Sequence, residues 1–125
     1  CDVLAPCAIG GVVNPRSIAT IRAPIIAGGA NNVLEDETRD AETLVERNIT
    51  YAPDYVINAG GLMSVNAELH NLPHGKAMED AAGIFETVKR VLNKASAENM
   101  TTIDASNRLA EERIEAVAAV SRIRR

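Results

Sequence analysis

The stretch ITYAPDYVINAGGLMSV, residues 49–65, decides how the rest of the chain is interpreted. Its apolar start predicts a buried strand, Pro53 marks the exit of that strand, and Gly60-Gly61 precedes a helix. In an open α/β sheet, ligands bind beyond the carboxyl ends of the strands. Asn58 and Ala59 would there offer an amide and a methyl group, beside bare backbone, to a flat and uncharged group. The alternative is a plain strand-to-helix turn in which glycines supply left-handed backbone angles.

The same pattern, a short strand followed by small residues, occurs twice upstream. A strand predicted at 3–5 is followed by Pro6-Cys7-Ala8, and a strand predicted at 25–27 is followed by Gly28-Gly29-Ala30-Asn31-Asn32. With right-handed connections the three strand ends lie at one edge of a parallel sheet. We therefore expect a shallow, mostly apolar floor that carries amides, one thiol and no charge. It suits a ring with a carboxamide, because asparagine both donates and accepts hydrogen bonds, and it does not suit free phosphate or a metal.

The remaining pattern alternates strands with helices, which predicts an α/β fold with a parallel sheet of about three strands. Asn14-Pro15 signals a short helix over 15–21, and Asn32 with Glu35 resembles a capping box for a helix over 34–47. Asn48 closes that helix. Later helices are predicted from near Gly61 to a loop at 71–75, over 76–99, and after a cap at Asp104. Residues 1–75 would hold the strand–helix units, and 76–125 a pair of long helices packed on them.

Composition limits the partners that the chain can have. Hydrophobic residues make up 46% of the sequence but only three residues are aromatic, and the net charge is −4. No basic run exceeds the terminal Arg122-Ile123-Arg124-Arg125. Too few aromatic side chains to stack bases, and no basic face, argue against nucleic acid. No apolar run approaches the roughly 20 residues that span a bilayer, so no membrane partner is expected.

Two further residue types matter for the site. Cys1 and Cys7 are too few for a disulfide framework, so we expect reduced thiols in a cytoplasmic protein, with Cys7 as a small buried thiol rather than a nucleophile. His70 and His74 are four residues apart, a spacing that binds metal on a helix, but Pro73 breaks that helix. No metal is therefore expected.

Four segments carry a resemblance to a known family: 1–8 (CDVLAPCA), 27–32 (AGGANN), 51–61 (YAPDYVINAGG) and 108–114 (RLAEERI). In this order and with similar spacing, they resemble the C-terminal part of the NAD-dependent amino acid dehydrogenases of the leucine, phenylalanine and valine group. These are relatives of glutamate dehydrogenase, and the leucine dehydrogenases look most similar. The resemblance implies the C-terminal portion of a Rossmann-type doubly wound parallel sheet, followed by long C-terminal helices.

The resemblance also implies which residues contact the cofactor. Pro6, Cys7 and Ala8 match the family's turn beside the nicotinamide ring and its ribose. Asn31 matches an asparagine that contacts the nicotinamide and the substrate, and Asn58 one near the nicotinamide carboxamide. The implied cofactor is NAD; NADP stays open, because the determining residue belongs upstream of residue 1.

Substrate contacts follow by the same matching. Leu62 and Val65 fall where the family places apolar residues against the substrate side chain, with Gly61 and Asn31 beside them. Independently, Leu62 and Val65 are three residues apart and share one face of a helix. Their branched side chains favour an aliphatic substrate such as leucine.

Several parts of the family's machinery have no match in this sequence. The glycine-rich dinucleotide loop, two catalytic lysines and a catalytic aspartate belong upstream, and no catalytic residue is assigned here. The implied reaction is oxidative deamination of an L-amino acid to a 2-oxo acid and ammonia, in a homo-oligomer. We therefore expect a fragment of a longer enzyme, inactive alone. The alternative is a non-catalytic module that self-associates through an exposed sheet edge.

Overall fold

The computed structural model describes residues 1–73 and 75–123, without the side chains of Ser121 and Ile123. His74, Arg124 and Arg125 lie outside the described residues. The predictions for the His70–His74 pair and for the end of the basic run fall there.

The sheet has three parallel strands in the order β1-β2-β3: β1 Val3–Leu4, β2 Ile25–Ile26 and β3 Thr50–Tyr51. Leu4 pairs with Ile26, which in turn pairs with Tyr51. This confirms the predicted α/β fold and parallel sheet. Because all three strands run in the same direction, their carboxyl ends meet at one edge, as the sequence predicted.

Seven helices are described between and after the strands: α1 Pro15–Ile18, α2 Glu37–Glu46, α3 Asp54–Ile57, α4 Gly60–Leu69, α5 Lys76–Ala82, α6 Ile84–Glu98 and α7 Thr102–Ile123. Helix α2 packs on β3 and α7, while α6 packs on α3 and α7. Within the described residues, no helix combines the length and the apolar character needed to span a membrane.

The first two helices differ in how well their starts were predicted. Asn14 caps α1 as expected, accepting hydrogen bonds from the backbone N–H groups of Arg16 and Ser17. The capping box of Asn32 and Glu35 is wrong, because Asp36 caps α2. Residues 33 and 34 instead follow an extended path beside Val13, whose N–H donates to the carbonyl of Val33 at 3.0 Å.

The helices of the C-terminal half also depart from the prediction. The helix predicted over 76–99 is two helices, because the chain breaks at Gly83, whose N–H bonds to the carbonyl of Asp80 three residues earlier. Glycine is among the poorest helix formers, so a break there is inexpensive. Asp104 is not the cap of α7 but lies in its first turn, where its N–H donates to Oγ1 of Thr101 at 3.1 Å.

The core is aliphatic, as the composition predicted. One cluster lies between the sheet and α1, α2 and α7, and its most completely buried members are Val13, Ile18, Ile26, Val33 and Leu44. A second, smaller cluster joins α6 to α7 through Val91, Ala95 and Ala105. The long helices are thereby attached to the strand–helix units.

The exits of β1 and β2 approach each other more closely than any side chain would allow. A Cβ atom on Gly28 would stand 2.0 Å from the carbonyl oxygen of Pro6, and one on Gly10 would stand 2.7 Å from the carbonyl oxygens of Asn31 and Asn32. Both glycines permit close backbone contact. The segment that carries the two asparagines is thus held by its neighbours.

We predict that Gly28→Ala lowers the free energy of unfolding by about 3 kcal/mol, the upper end of the usual cost of overpacking, because the methyl group would meet backbone that cannot rotate away. Gly60→Ala is the matched control, since a Cβ there meets nothing within 4 Å. It should leave stability unchanged or raise it by up to about 1 kcal/mol. Urea unfolding of both variants measures the difference; equal stabilities would contradict the close packing at Gly28.

Candidate functional site

A groove lies at the carboxyl edge of the sheet, between the segment after β2 and the junction of α3 with α4. Its lining consists of amides, small residues, one apolar side chain, one tyrosine and one carboxylate: Asn31, Asn32, Asp54, Tyr55, Asn58, Ala59, Gly61 and Leu62. Of the residues selected from the sequence, Asn31, Asn58, Gly61 and Leu62 are therefore brought together here.

A hydrogen bond between two asparagine side chains forms the centre of this groove. Asn58 ends α3, and its Nδ2 donates to Oδ1 of Asn31 at 2.6 Å and to the carbonyl of Ala30 at 3.4 Å. Among the described residues, no protein group bonds to the side-chain oxygen Oδ1 of Asn58 or to the side-chain amino group Nδ2 of Asn31. The pair therefore presents one acceptor and one donor to a ligand.

Asp54 is the residue of this groove that the sequence analysis missed. The floor was expected to carry no charge, and the carboxylate of Asp54 in its lining makes that expectation wrong. Asp54 begins α3, is 6% exposed, and accepts a hydrogen bond at Oδ2 from the N–H of Val33 at 3.3 Å. Acidic residues favour the first turn of a helix, and Asp54 directly after Pro53 carried that signal.

Both tyrosines lie beside Asp54 and have perturbed acidities. Burial raises the pKa of Tyr51 far above its ordinary value, and the nearby charge of Asp54 adds to the rise. The hydroxyl of Tyr51 accepts a hydrogen bond from the N–H of Asp54 at 3.3 Å. Burial also raises the pKa of Tyr55, whose hydroxyl shares a 2.5 Å hydrogen bond with Ser106 of α7.

The loop after β1 lies next to the groove but does not line it. The carbonyl of Pro6 accepts a hydrogen bond from the N–H of Ala30 at 3.0 Å, and Sγ of Cys7 accepts one from Gly29 at 3.4 Å. Pro6, Cys7 and Ala8 border a separate, largely apolar hollow with Val12. The loop therefore contacts the backbone that leads into Asn31.

Two expectations fail in this region, one about the burial of Cys7 and one about the backbone angles of Gly60 and Gly61. Cys7 was expected to be buried, but it is an exposed free thiol in the surface loop after β1, and Cys1 is an exposed free thiol as well. Gly60 and Gly61 do not adopt left-handed angles; they are the first residues of α4, with open space where a Cβ would be. The interpretation of this pair as left-handed turn glycines is therefore wrong, and the backbone there is open to a ligand.

Helix α4 carries the two apolar residues assigned to the substrate. Leu62 lines the groove and is 74% exposed, whereas Val65, one turn further along the helix, is 51% exposed and lies outside the groove lining. In the described ranges, 1–73 and 75–123, no group of three or more His, Cys, Asp or Glu side chains is placed to hold a metal ion.

The sequence is similar to those of known amino acid dehydrogenases. Residues 1–122 match the model of the family described as Glutamate/Leucine/Phenylalanine/Valine dehydrogenase. The chain is 44% identical over 113 residues to an L-tryptophan dehydrogenase of Nostoc punctiforme, covering 90% of this chain and 32% of that protein. It is also 44% identical over 115 residues to a leucine dehydrogenase of Geobacillus stearothermophilus, covering 92% of this chain and 31% of that protein.

Solved structures of amino acid dehydrogenases share the fold of this chain. The crystal structure of L-tryptophan dehydrogenase from Nostoc punctiforme, 43% identical, superposes with a TM-score of 0.89 over 92% of this chain and 35% of that one. A glutamate dehydrogenase from Peptoniphilus asaccharolyticus, 22% identical, shares the fold with a TM-score of 0.73, over 94% of this chain and 31% of that one. The chain spans about a third of the length of the curated relatives it matches.

The environment of Tyr51 predicts a loss of stability in alkali. Its pKa in the folded protein is above the unfolded value of about 10, so folding favours the neutral phenol. The stabilisation is therefore complete below about pH 10 and declines as the pH rises further. Tyr51→Phe should remove much of this decline, as measured by urea unfolding between about pH 8 and pH 11.

Phenolate absorbance near 295 nm gives a direct check. The wild-type minus Tyr51→Phe difference should show no ionisation at about pH 10 in the folded protein, and about half ionisation in urea. Half ionisation near pH 10 in the folded protein would contradict the burial of Tyr51.

Proposed function

The chain belongs to the Glutamate/Leucine/Phenylalanine/Valine dehydrogenase family, and from this premise we propose that it forms the nicotinamide side of an amino acid dehydrogenase. The intact enzyme would oxidatively deaminate a neutral L-amino acid, of branched-chain type such as leucine, to the 2-oxo acid and ammonia. The chain would supply contacts to the nicotinamide and to the substrate side chain.

The observation that carries this proposal is the hydrogen-bonded pair of Asn31 and Asn58. A carboxamide needs a donor and an acceptor side by side, and the amino group of Asn31 and the carbonyl oxygen of Asn58 supply both. Neither side chain is charged, which suits an amide group and a ring whose charge changes during the reaction.

The residues of the groove fit a nicotinamide. Leu62 and Ala59 give apolar surface, and Gly61 leaves backbone open where a planar ring would approach. Pro6, Cys7 and Ala8 would border the ring and its ribose from the neighbouring loop. When bound, NAD would supply the hydride acceptor of the reaction. NAD is proposed as the cofactor, with NADP as the alternative.

The substrate side chain would lie against α4. Leu62 and Val65 are exposed, apolar and on one face of that helix, and Leu62 lines the groove together with Asn31 and Gly61. Contact between branched aliphatic groups favours a substrate of the leucine type.

We further propose that the chain is inactive alone and works within a longer, homo-oligomeric enzyme. It spans about a third of the length of its relatives. Acid–base catalysis and binding of the adenosine half of the cofactor would be contributed by the remaining two thirds. A cytoplasmic location agrees with the two free thiols, because reducing compartments keep cysteines unpaired.

We predict that Asn58→Ala raises the KM for NAD about tenfold in the intact protein, equivalent to about 1.4 kcal/mol, because the carboxamide loses a partner. Asn66→Ala, on the exposed surface of α4, is the matched control and should leave KM unchanged. Reduction of NAD or NADP at 340 nm with L-leucine, L-phenylalanine and L-tryptophan provides the assay. Absence of amino-acid-dependent reduction in the intact wild type would contradict the proposed function.

Specificity gives a second test. Leu62→Ala should shift the ratio of kcat/KM values for phenylalanine over leucine upward by about fivefold or more, because removing apolar atoms from a pocket changes discrimination by about 1–3 kcal/mol. Leu69→Ala removes the same atoms two turns further along α4, outside the groove, and should leave the ratio unchanged. An unchanged ratio in Leu62→Ala would defeat the assignment of Leu62 to the substrate.

A further inference from the structure

We propose that Asp54 is a positioning residue, which holds Asn31 and Asn58 at the separation that the nicotinamide site needs. This inference rests on the proposed function and adds to it a residue that acts through its bonds to the two segments that carry the asparagines. Its evidence is the set of bonds that Asp54 makes to both segments of the groove.

Asp54 bonds to both segments that carry the asparagines. Its side-chain Oδ2 accepts from the N–H of Val33, two residues after Asn31, at 3.3 Å. Its backbone carbonyl accepts from the N–H of Asn58 at 2.9 Å. One residue therefore links the segment after β2 to the end of α3.

The position of Asp54 itself is determined by the sheet. Its N–H donates to the hydroxyl of Tyr51, a residue of β3 that is 4% exposed. Tyr51 is buried in the aliphatic core and pairs with Ile26 of β2. Asp54 is therefore held in place by a residue of the buried core and not by a surface side chain.

The segment that Asp54 holds needs such support. Asn32 has φ of 51°, a left-handed conformation that is uncommon for residues other than glycine. This turn of the backbone directs the N–H of Val33 toward the carboxylate. A buried N–H without an acceptor is costly, so removing the carboxylate favours a different path for residues 31–33. Asn31 would then move relative to Asn58.

A purely structural role for a buried carboxylate is the competing explanation, and the chain contains a suitable control. Asp40 of α2 is 0% exposed, accepts a hydrogen bond from the N–H of Asp36 at 2.9 Å and pairs with Arg39. It lies outside the groove lining. Asp40→Ala therefore removes a buried carboxylate and its backbone bond without touching the asparagine pair.

The test compares four variants of the intact protein: Asp54→Ala, Asp54→Ser, Asp54→Asn and Asp40→Ala. Asparagine retains an oxygen that reaches Val33, whereas serine still suits a helix start but is too short. We expect the Kd for NADH, measured by nicotinamide fluorescence, to rise about tenfold in Asp54→Ala and Asp54→Ser and less than about threefold in Asp54→Asn. Asp40→Ala should lower the Tm while changing Kd less than about twofold.

Equal Kd values for Asp54→Ser and Asp54→Asn would overturn the proposal, and so would a Kd change in Asp40→Ala as large as that in Asp54→Ser. The serine and asparagine variants decide the question even if Asp54→Ala does not fold.

Crystal structures supply a readout that is independent of function. The Nδ2 of Asn58 and Oδ1 of Asn31 should separate beyond about 3.5 Å in Asp54→Ser and stay bonded in Asp54→Asn. An unchanged pair in Asp54→Ser would overturn the positioning role. A wild type that binds no NADH would count against the proposed function alone, because the crystal structures still decide the role of Asp54.

Discussion

The contact of Gly28 with the backbone of Pro6 is the constraint on which the rest of the site depends. No side chain fits between the exits of β1 and β2, since a Cβ on Gly28 would stand 2.0 Å from the carbonyl oxygen of Pro6. This proximity lets that carbonyl accept the N–H of Ala30, so the chain leaves β2 along the loop after β1. Asn31 follows Ala30 directly and therefore lies next to Asn58 at the end of α3. The packing of the two strand exits thus fixes the position of the Asn31 side-chain amide.

The second amide reaches the same place from the other direction. Helix α3 is one turn long, runs from Asp54 to Ile57 and is followed by Asn58 as its C-terminal cap. Its start is held by bonds to Tyr51 and Val33, so its end has little freedom. The groove combines rigid parts from β2, β3 and α3 with exposed residues of α4. Such a division is common in binding sites, where a rigid scaffold positions a few polar groups and an apolar surface supplies contact area.

Local sequence patterns predicted the features that depend on residues adjacent in the chain. The features that depend on tertiary packing were not predicted. Alternating strands and helices predicted the parallel sheet, and the small residues at each strand end predicted that the segments of Asn31 and Asn58 lie at one edge of it. The cap at Asn32 failed because Val33 is buried in the core beside Val13. The bonds of Asp54 were not predicted because its partners, Val33 and Tyr51, are brought to it only by the fold. Its helix-start signal was present but equally typical of an ordinary turn.

A crystal structure of the intact protein with bound NAD would show whether Asn31 and Asn58 form the floor for the nicotinamide. We expect the carboxamide of the ring to lie within about 3.2 Å of the Asn58 side-chain oxygen or the Asn31 amino group. We also expect Asn31 and Asn58 to keep their mutual hydrogen bond. A ring bound elsewhere, with both asparagine side chains facing solvent, would show that this pair does not form the nicotinamide site.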